Sequence, residues 1–196
     1  MRVVLIGSKG QLGSDISAIV PENIDLFCFD RENLDITKKH TVEKNLAYIK
    51  PNIIINASAY TDVNAAENNP APAFGLNAVA VMNLVSVSLE LSAKLIHIST
   101  DYIFDGKYKD SPYLEDDAPN PLNIYGLSKL AGEYIVRNYM DSYYVIRTAG
   151  LYGKSGARGK GGSNLVFSIL DKARKNQVLE LYDDIVFSIN KTMKQV

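Results

Sequence analysis

Tryptophan is absent from the 196 residues, cysteine occurs once, at Cys28, and histidine only twice, at His40 and His97. A lone cysteine excludes an intramolecular disulfide and fits a reducing compartment. Neither histidine has a Cys or His companion, and the acidic run Glu115-Asp116-Asp117 lacks metal-ligand spacing, so no metal is expected. An excess of one charge is missing too. The 21 Lys and Arg against 22 Asp and Glu leave a net charge of −1, which gives no global attraction to nucleic acid or to an anionic membrane. The N-terminal apolar run ends at Gly7, too soon for the apolar region of a signal peptide. No run approaches the roughly 18 apolar residues of a membrane span. With 46% hydrophobic and 22% charged residues the chain has the material for a packed core. The expectation is a cytoplasmic globular protein with neither nucleic acid nor membrane as partner.

What is present alternates. Val3 to Ile6 is a short continuous apolar run, the pattern of a strand buried on both faces. Leu12, Ile16 and Ile19 then recur at helical spacing until Pro21. Ile24 to Phe29 reads as a second strand, and Thr37 to Tyr48 as an amphipathic helix with Thr37 as its N-cap. Ile53 to Ile55 is a third strand and Pro72 to Ala93 a long, largely apolar helix, expected to lie buried between other elements. Further strands follow at Leu95 to Ile98, Tyr143 to Ile146 and Val178 to Leu181, with helices at Asn123 to Met140 and Asn164 to Lys175. This alternation predicts an α/β fold, a Rossmann-type doubly wound parallel sheet. Ligands of such sheets bind beyond the carboxyl ends of the strands, which makes the loops at 104–121 and 153–163 candidate walls.

Gly7-Ser-Lys-Gly10-Gln-Leu-Gly13 stands between the first strand and the first helix. Glycines there permit a tight turn and let the backbone approach a pyrophosphate, which then rests on the helix N-terminus. The motif is only moderately specific, but its position directly after an N-terminal strand strengthens it. Asp30, at the end of the second strand, is placed to hold adenosine ribose hydroxyls, while Arg31 beside it is suited to a 2′-phosphate. NAD and NADP both remain open.

Tyr125 and Lys129, four residues apart, share one face of a helix. A cationic lysine nearby and a bound nicotinamide cation are expected to lower the phenol pKa, so that the tyrosine can exchange a proton with a substrate oxygen while hydride moves. With 12 tyrosines in the chain the spacing alone is weak, and its position after the fourth strand is what raises it. Thr100, in Ser99-Thr100-Asp101 at the end of that strand, could hydrogen-bond a carbonyl or simply cap a turn. His97 alternates with its neighbours in the strand pattern and reads as a structural histidine.

These segments together resemble the extended short-chain dehydrogenase/reductase family and, within it, the dTDP-4-dehydrorhamnose reductase family. The resemblance covers roughly residues 1–188 and is carried by GSKGQLG at 7–13, INASAYTDVNAAE at 55–67, ISTDYIFDG at 98–106, PYLEDDAPNPLNIYGLSKLAGE at 112–133 and IRTAGLYG at 146–153. It implies a nicotinamide cofactor, NADPH or NADH. Gly7, Gly10, Gln11, Leu12 and Gly13 would hold the pyrophosphate, Asp30 or Arg31 the adenosine ribose, and Asp35 and Ile36 would border the adenine. Ala57, Ser58, Ala59 and Tyr60 would line the path to the nicotinamide, with Tyr125 and Lys129 beside it. Thr100, Tyr125 and Lys129 would be the catalytic set, with Thr100 and Asp101 meeting the substrate. The implied reaction reduces the 4-keto group of a dTDP-linked 6-deoxyhexose to dTDP-L-rhamnose, and a homodimer is compatible with it.

Two features depart from the family pattern. Gly150 stands where relatives often have a tryptophan, and INKTMKQV at 189–196 does not match the continuation of the family. The expected organisation is a dinucleotide-binding domain at 1–182 and a divergent tail at 183–196. The tail would be the start of a substrate subdomain that is largely missing from a truncated chain. The alternatives are a non-catalytic dinucleotide-binding regulatory subunit, like the methionine adenosyltransferase β subunit, and another sugar-nucleotide reductase or epimerase.

Overall fold

The computed structural model describes residues 1–106, 111–153, 165–178 and 189–191. Five strands form one parallel sheet: β1 (Arg2–Ile6), β2 (Asp25–Phe29), β3 (Ile53–Asn56), β4 (Lys94–Thr100) and β5 (Tyr143–Thr148), in the order β2-β1-β3-β4-β5. The interior strand β1 is buried from Val3 to Ile6, as a continuous apolar run requires when both faces are covered. The chain leaves β1 toward β2 and returns on the other side as β3. The direction of winding therefore reverses between β1 and β3, where doubly wound sheets open a crevice for ligands.

The helices are α1 (Gln11–Ile19), α2 (Lys39–Ile49), α3 (Val63–Asn68), α4 (Pro70–Phe74), α5 (Ala80–Glu90), α6 (Ile124–Tyr139) and α7 (Leu165–Arg174). Val42 and Leu46 of α2, Val81 and Leu84 of α5 and Val136 of α6 pack with Ile54 of the sheet into one core. A second, two-stranded parallel sheet pairs β6 (Gly150–Tyr152) with β7 (Ile189–Lys191).

Several elements differ from the sequence expectation. Thr37 does not cap α2. Its hydroxyl and amide both donate to Asp35 Oδ1, at 2.7 and 3.0 Å, and Lys38 takes the N-cap position. The long apolar helix starts at Pro70 rather than Pro72, ends at Glu90, and contains a π-helical turn at Gly75–Val79 between α4 and α5. By length and composition Pro70–Glu90 could cross a membrane, although no uninterrupted apolar run in it reaches 18 residues. Here it is half buried and packed against α2 and α6. The short helix α3, ahead of it, was not anticipated. Val178 lies outside any strand, and the rest of the strand expected at Val178 to Leu181 falls outside the described residues, as does the expected domain boundary at 182/183.

Candidate active site

The glycine turn is built around contacts that leave no room for side chains. Gly7 has φ +81°, the left-handed region that favours glycine, and a Cβ there would lie 2.8 Å from the backbone of Ala57 and Ser58. A Cβ on Gly13 would sit 2.2 Å from the Gly7 carbonyl oxygen. These close approaches press the start of α1 onto the turn and the turn onto the end of β3. The Gly7 and Ser8 amides donate to the Phe29 carbonyl at 2.8 and 2.9 Å, tying the same turn to the end of β2. At Gly10 a Cβ would meet only the Gly7 carbonyl oxygen, at 3.2 Å. Gly10 is also the N-cap of α1, which has no side-chain cap and no acidic residue in its first turn. Gln11 Nε2 is buried with no hydrogen-bond partner. An open glycine face, an uncapped helix N-terminus and an orphaned amide donor are what a bound pyrophosphate would satisfy. The turn therefore fits a dinucleotide.

The end of β2 is more engaged than its sequence suggests. Asp30 Oδ1 accepts the amides of Glu32 and Asn33 at 2.9 and 3.2 Å, and the Asp30 amide donates to Asn33 Oδ1 at 2.7 Å. The other Asp30 oxygen pairs with the Lys9 ammonium, which also reaches Glu32 Oε2 at 2.7 Å. Lys9 holds the Asp30 carboxyl below its usual range. Arg31 is exposed beside them. Asp35 turns back on Thr37, and Ile36 is part of the core, its carbonyl accepting the Asn83 amide at 2.8 Å. The side chain of Ile36 is thus not on an open adenine face.

The third strand ends in a fixed loop. Asn56 Oδ1 accepts the Ser58 amide at 3.1 Å and the Ser58 hydroxyl at 2.6 Å, so its Nδ2 donates to His97 Nδ1 at 3.1 Å. That leaves the His97 proton on Nε2. Burial drives the His97 pKa well below its normal value and the Lys129 charge lowers it further, so the ring is neutral. Asn77, inside the π turn, clamps the backbone of Tyr60. Its Oδ1 accepts the Tyr60 amide at 2.8 Å, and its Nδ2 donates to the Tyr60 carbonyl at 3.0 Å and to Ser128 Oγ at 2.9 Å. Ser128 sits on α6 next to Lys129, so one amide joins the loop Ala57–Tyr60 to the helix of the Tyr/Lys pair.

Asn123 caps α6 by accepting the Gly126 amide at 2.7 Å, and Glu67 Oε1 accepts the Ile124 amide at 2.6 Å. A Cβ on Gly126 would fall 2.2 Å from the Tyr102 carbonyl oxygen, so the helix start lies hard against the turn that follows β4. Tyr125 thereby comes beside Thr100, and its ring meets Tyr102 edge-on at 5.7 Å. The Lys129 ammonium is buried and donates to the Ile98 carbonyl at 2.6 Å. Burial lowers the Lys129 pKa to about 8, with Glu133 opposing the fall.

The Tyr125 pKa runs against expectation. Burial raises it, Asp101 and Tyr102 add to the rise, and only the Thr100 hydroxyl beside it pulls it down. Lys129 does not lower it, because that ammonium is aimed at the Ile98 carbonyl. Asp101 is itself raised by burial. Thr100 caps the following turn, accepting the Tyr102 amide at 3.2 Å, as one of its two sequence readings has it, and donates to Asp101 Oδ1 at 3.2 Å.

Beneath this set lies a charged cluster that sequence reading missed. Glu133 is completely buried and accepts the Ser99 hydroxyl, Arg147 Nη2 at 2.8 Å and Arg147 Nε at 3.2 Å. Arg147 also donates to the Glu115 carbonyl at 2.8 Å and lies over the Phe104 ring at 5.3 Å. The signal was available: Tyr125, Lys129 and Glu133 recur every fourth residue, on one helix face. Among the described residues no group of His, Cys, Asp and Glu is arranged to hold a metal ion.

The model of the RmlD substrate binding domain family matches residues 1–188. The chain is 33% identical over 184 residues to the dTDP-4-dehydrorhamnose reductase of Sinorhizobium fredii and 35% identical over 188 residues to that of Escherichia coli K12. Each match covers 94% of this chain and 60% of the relative, so the chain spans about three fifths of the length of these proteins. Among solved structures it superposes on the dTDP-4-dehydrorhamnose reductase of Bacillus anthracis in complex with NADP, with a TM-score of 0.83 and 38% identity over 89% of this chain and 60% of that one. The UDP-glucose 4-epimerase of Thermotoga maritima shares the fold, with a TM-score of 0.84 at 21% identity, over 98% of this chain and 70% of that one.

Proposed function

The chain belongs to the RmlD substrate binding domain family, and from that membership we propose that it binds NADPH or NADH and serves reduction of the 4-keto group of dTDP-4-dehydrorhamnose to dTDP-L-rhamnose. The observation that carries the reading is a convergence. The open glycine turn after β1, the clamped loop after β3 and the Thr100/Tyr125/Lys129 set after β4 all stand at the carboxyl ends of adjacent strands. The relatives reported above at 33–38% identity are reductases, and none of them speaks for the non-catalytic regulatory subunit.

In this reading Gly7, Gly10, Gln11, Leu12 and Gly13 receive the pyrophosphate, Ala57 to Tyr60 line the groove toward the nicotinamide, and Asp101 stands at the sugar. A bound NADPH or NADH supplies the hydride. Ketone reduction also consumes a proton at the carbonyl oxygen, and Tyr125 is suited to give it. Burial keeps the phenol protonated, so it serves as the acid without first having to be recharged. Thr100 stands beside that phenol, where its hydroxyl faces the same substrate oxygen. Lys129, with a pKa of about 8, holds a proton at Nζ near neutral pH and sits one helical turn below Tyr125. A dTDP-sugar is the partner this assigns, and the cytoplasm, where such biosynthesis draws on reduced nicotinamide, is the compartment.

Titration of the 196-residue chain with NADPH, followed by nicotinamide fluorescence, tests the cofactor half of this reading. Saturable binding is expected, and Gly10→Val should abolish it by placing a branched side chain where the pyrophosphate must approach. A folded wild-type chain that binds neither NADPH nor NADH would overturn the assignment.

A further inference from the structure

We propose that Lys9 sets the choice between the two nicotinamide dinucleotides, by neutralising Asp30 and offering a hydrogen-bond donor to the 2′-phosphate of NADPH. This rests on the dinucleotide reading above and adds to it a residue that neither the glycine pattern nor the end of β2 pointed to.

The geometry begins with Asp30. Its Oδ1 is held by two backbone amides of its own turn, so the carboxylate cannot swing away. Its Oδ2 is not held by the turn, but it is buried, and the Lys9 ammonium sits on it. A carboxylate in this position prefers an unphosphorylated ribose, because it accepts from the 2′-hydroxyl and repels a 2′-phosphate. With Lys9 in place that repulsion is cancelled and the accepting oxygen is occupied.

An ammonium has three donor positions. Lys9 uses two, on Asp30 and Glu32, and its side chain is 44% exposed, which leaves a donor directed at solvent. Lys9 is also part of the glycine turn, between Gly7 and Gly10, so its backbone lies where the pyrophosphate is expected and its side chain extends toward the ribose end. Lys9, Asp30, Arg31 and Glu32 together carry no formal net charge, and removing Lys9 would leave the cluster negative against an anionic phosphate. The Glu32 contact is a solvent-exposed ion pair, of the kind that costs little to exchange for another anion.

The test is a pair of titrations, NADPH and NADH, on the wild-type chain, Lys9→Gln and Glu32→Gln. Wild type is expected to bind NADPH more tightly. Lys9→Gln should weaken NADPH by roughly tenfold to a hundredfold, the scale of one charge-assisted hydrogen bond, and leave NADH unchanged or tighter as Oδ2 of Asp30 is released. Glu32→Gln should shift the preference the other way, toward NADPH. A Lys9→Gln variant that alters both affinities equally, or neither, overturns the role of Lys9 while leaving the cofactor assignment intact. A wild type that prefers NADH does the same. Binding of neither dinucleotide by folded wild type would remove the cofactor assignment and this inference together.

Discussion

Lys129 is a cation with almost no access to water, and its surroundings explain both its cost and its use. The ammonium has one hydrogen bond, to the Ile98 carbonyl, and Glu133 one turn further along α6 favours the charged form without restoring the normal pKa. The consequence for stability has a definite sign. Below about pH 8 the lysine is protonated in both folded and unfolded chains, and the folded state carries the penalty of burying it. Between about pH 8 and the unfolded value of 10.5 the unfolded chain binds more protons, so this contribution to stability rises with pH. Measured against Lys129→Met in denaturant melts, wild-type stability should therefore gain about 2 kcal/mol between pH 7 and pH 10, the greater part of a shift of this size. A wild-type-minus-variant difference that is flat across that range would mean the ammonium is solvated. Glu133 belongs to the same calculation. It is the only carboxylate described within this buried cluster and is shared with Arg147, so its charge serves two cations.

At the scale of elements, the π turn at Gly75–Val79 has an identifiable purpose. The extra residue in the turn places Asn77 facing both the Tyr60 backbone and Ser128, and puts the Asn77 carbonyl oxygen where a Cβ on Gly132 would come within 2.2 Å. Such interruptions of a regular helix recur at functional sites. Two glycines bracket the prediction. Gly132→Ala should push α6 off the π turn and destabilise the chain by about 1–3 kcal/mol, the range for overpacking, and should weaken NADPH binding as Tyr125 and Lys129 move. Gly75→Ala, with nothing within 4 Å of its Cβ and a right-handed helical backbone, should stabilise by about 0.5–1 kcal/mol and leave binding unchanged. Thermal melts of both variants check this, and equal effects would mean the close approach at Gly132 is not a constraint.

The same helix shows where sequence reading succeeds and where it stops. Its apolar surface announced a buried helix, because burial on several sides leaves a compositional mark. The π turn left none, since Leu76, Asn77 and Ala78 have no period of their own. The strand–turn–helix from Arg2 to Ile19 was legible because glycine spacing and an apolar run are both local. The Lys9–Asp30 pair was not, because a charge gives no hint of which distant charge it will meet. Glu133 and Arg147 were passed over for a related reason. Charged residues are mostly exposed, and only the fold reveals the two that are buried together. The phenol of Tyr125 was placed correctly, but its pKa was expected to fall because a neighbour at helical spacing was taken to point at it, whereas Lys129 points at β4.

At the scale of the whole molecule, we propose that the groups holding a cofactor and those holding a sugar nucleotide lie in different parts of the family's length. In that reading the described residues supply the first set: the glycine turn, the Ala57–Tyr60 loop and the Thr100/Tyr125/Lys129 cluster. The curated relatives extend over a length of which this chain spans 60%, and residues 1–188 carry the family match. Reduction needs the keto carbon held about 3–3.5 Å from the hydride donor, and a misplacement near 1 Å can cost roughly a hundredfold. Binding energy from the remote nucleotide normally secures that placement. The 196-residue polypeptide is therefore expected to bind NADPH yet oxidise it slowly in the presence of dTDP-4-dehydrorhamnose. A chimera in which the remaining length of the Escherichia coli relative follows residue 188 should turn over at least a hundredfold faster. In that chimera Tyr125→Phe should remove most of the activity with NADPH affinity preserved, which separates proton donation from binding. Comparable rates with and without the extension would show that the described residues already position the substrate, and full activity in the Tyr125→Phe chimera would reassign the proton to another group.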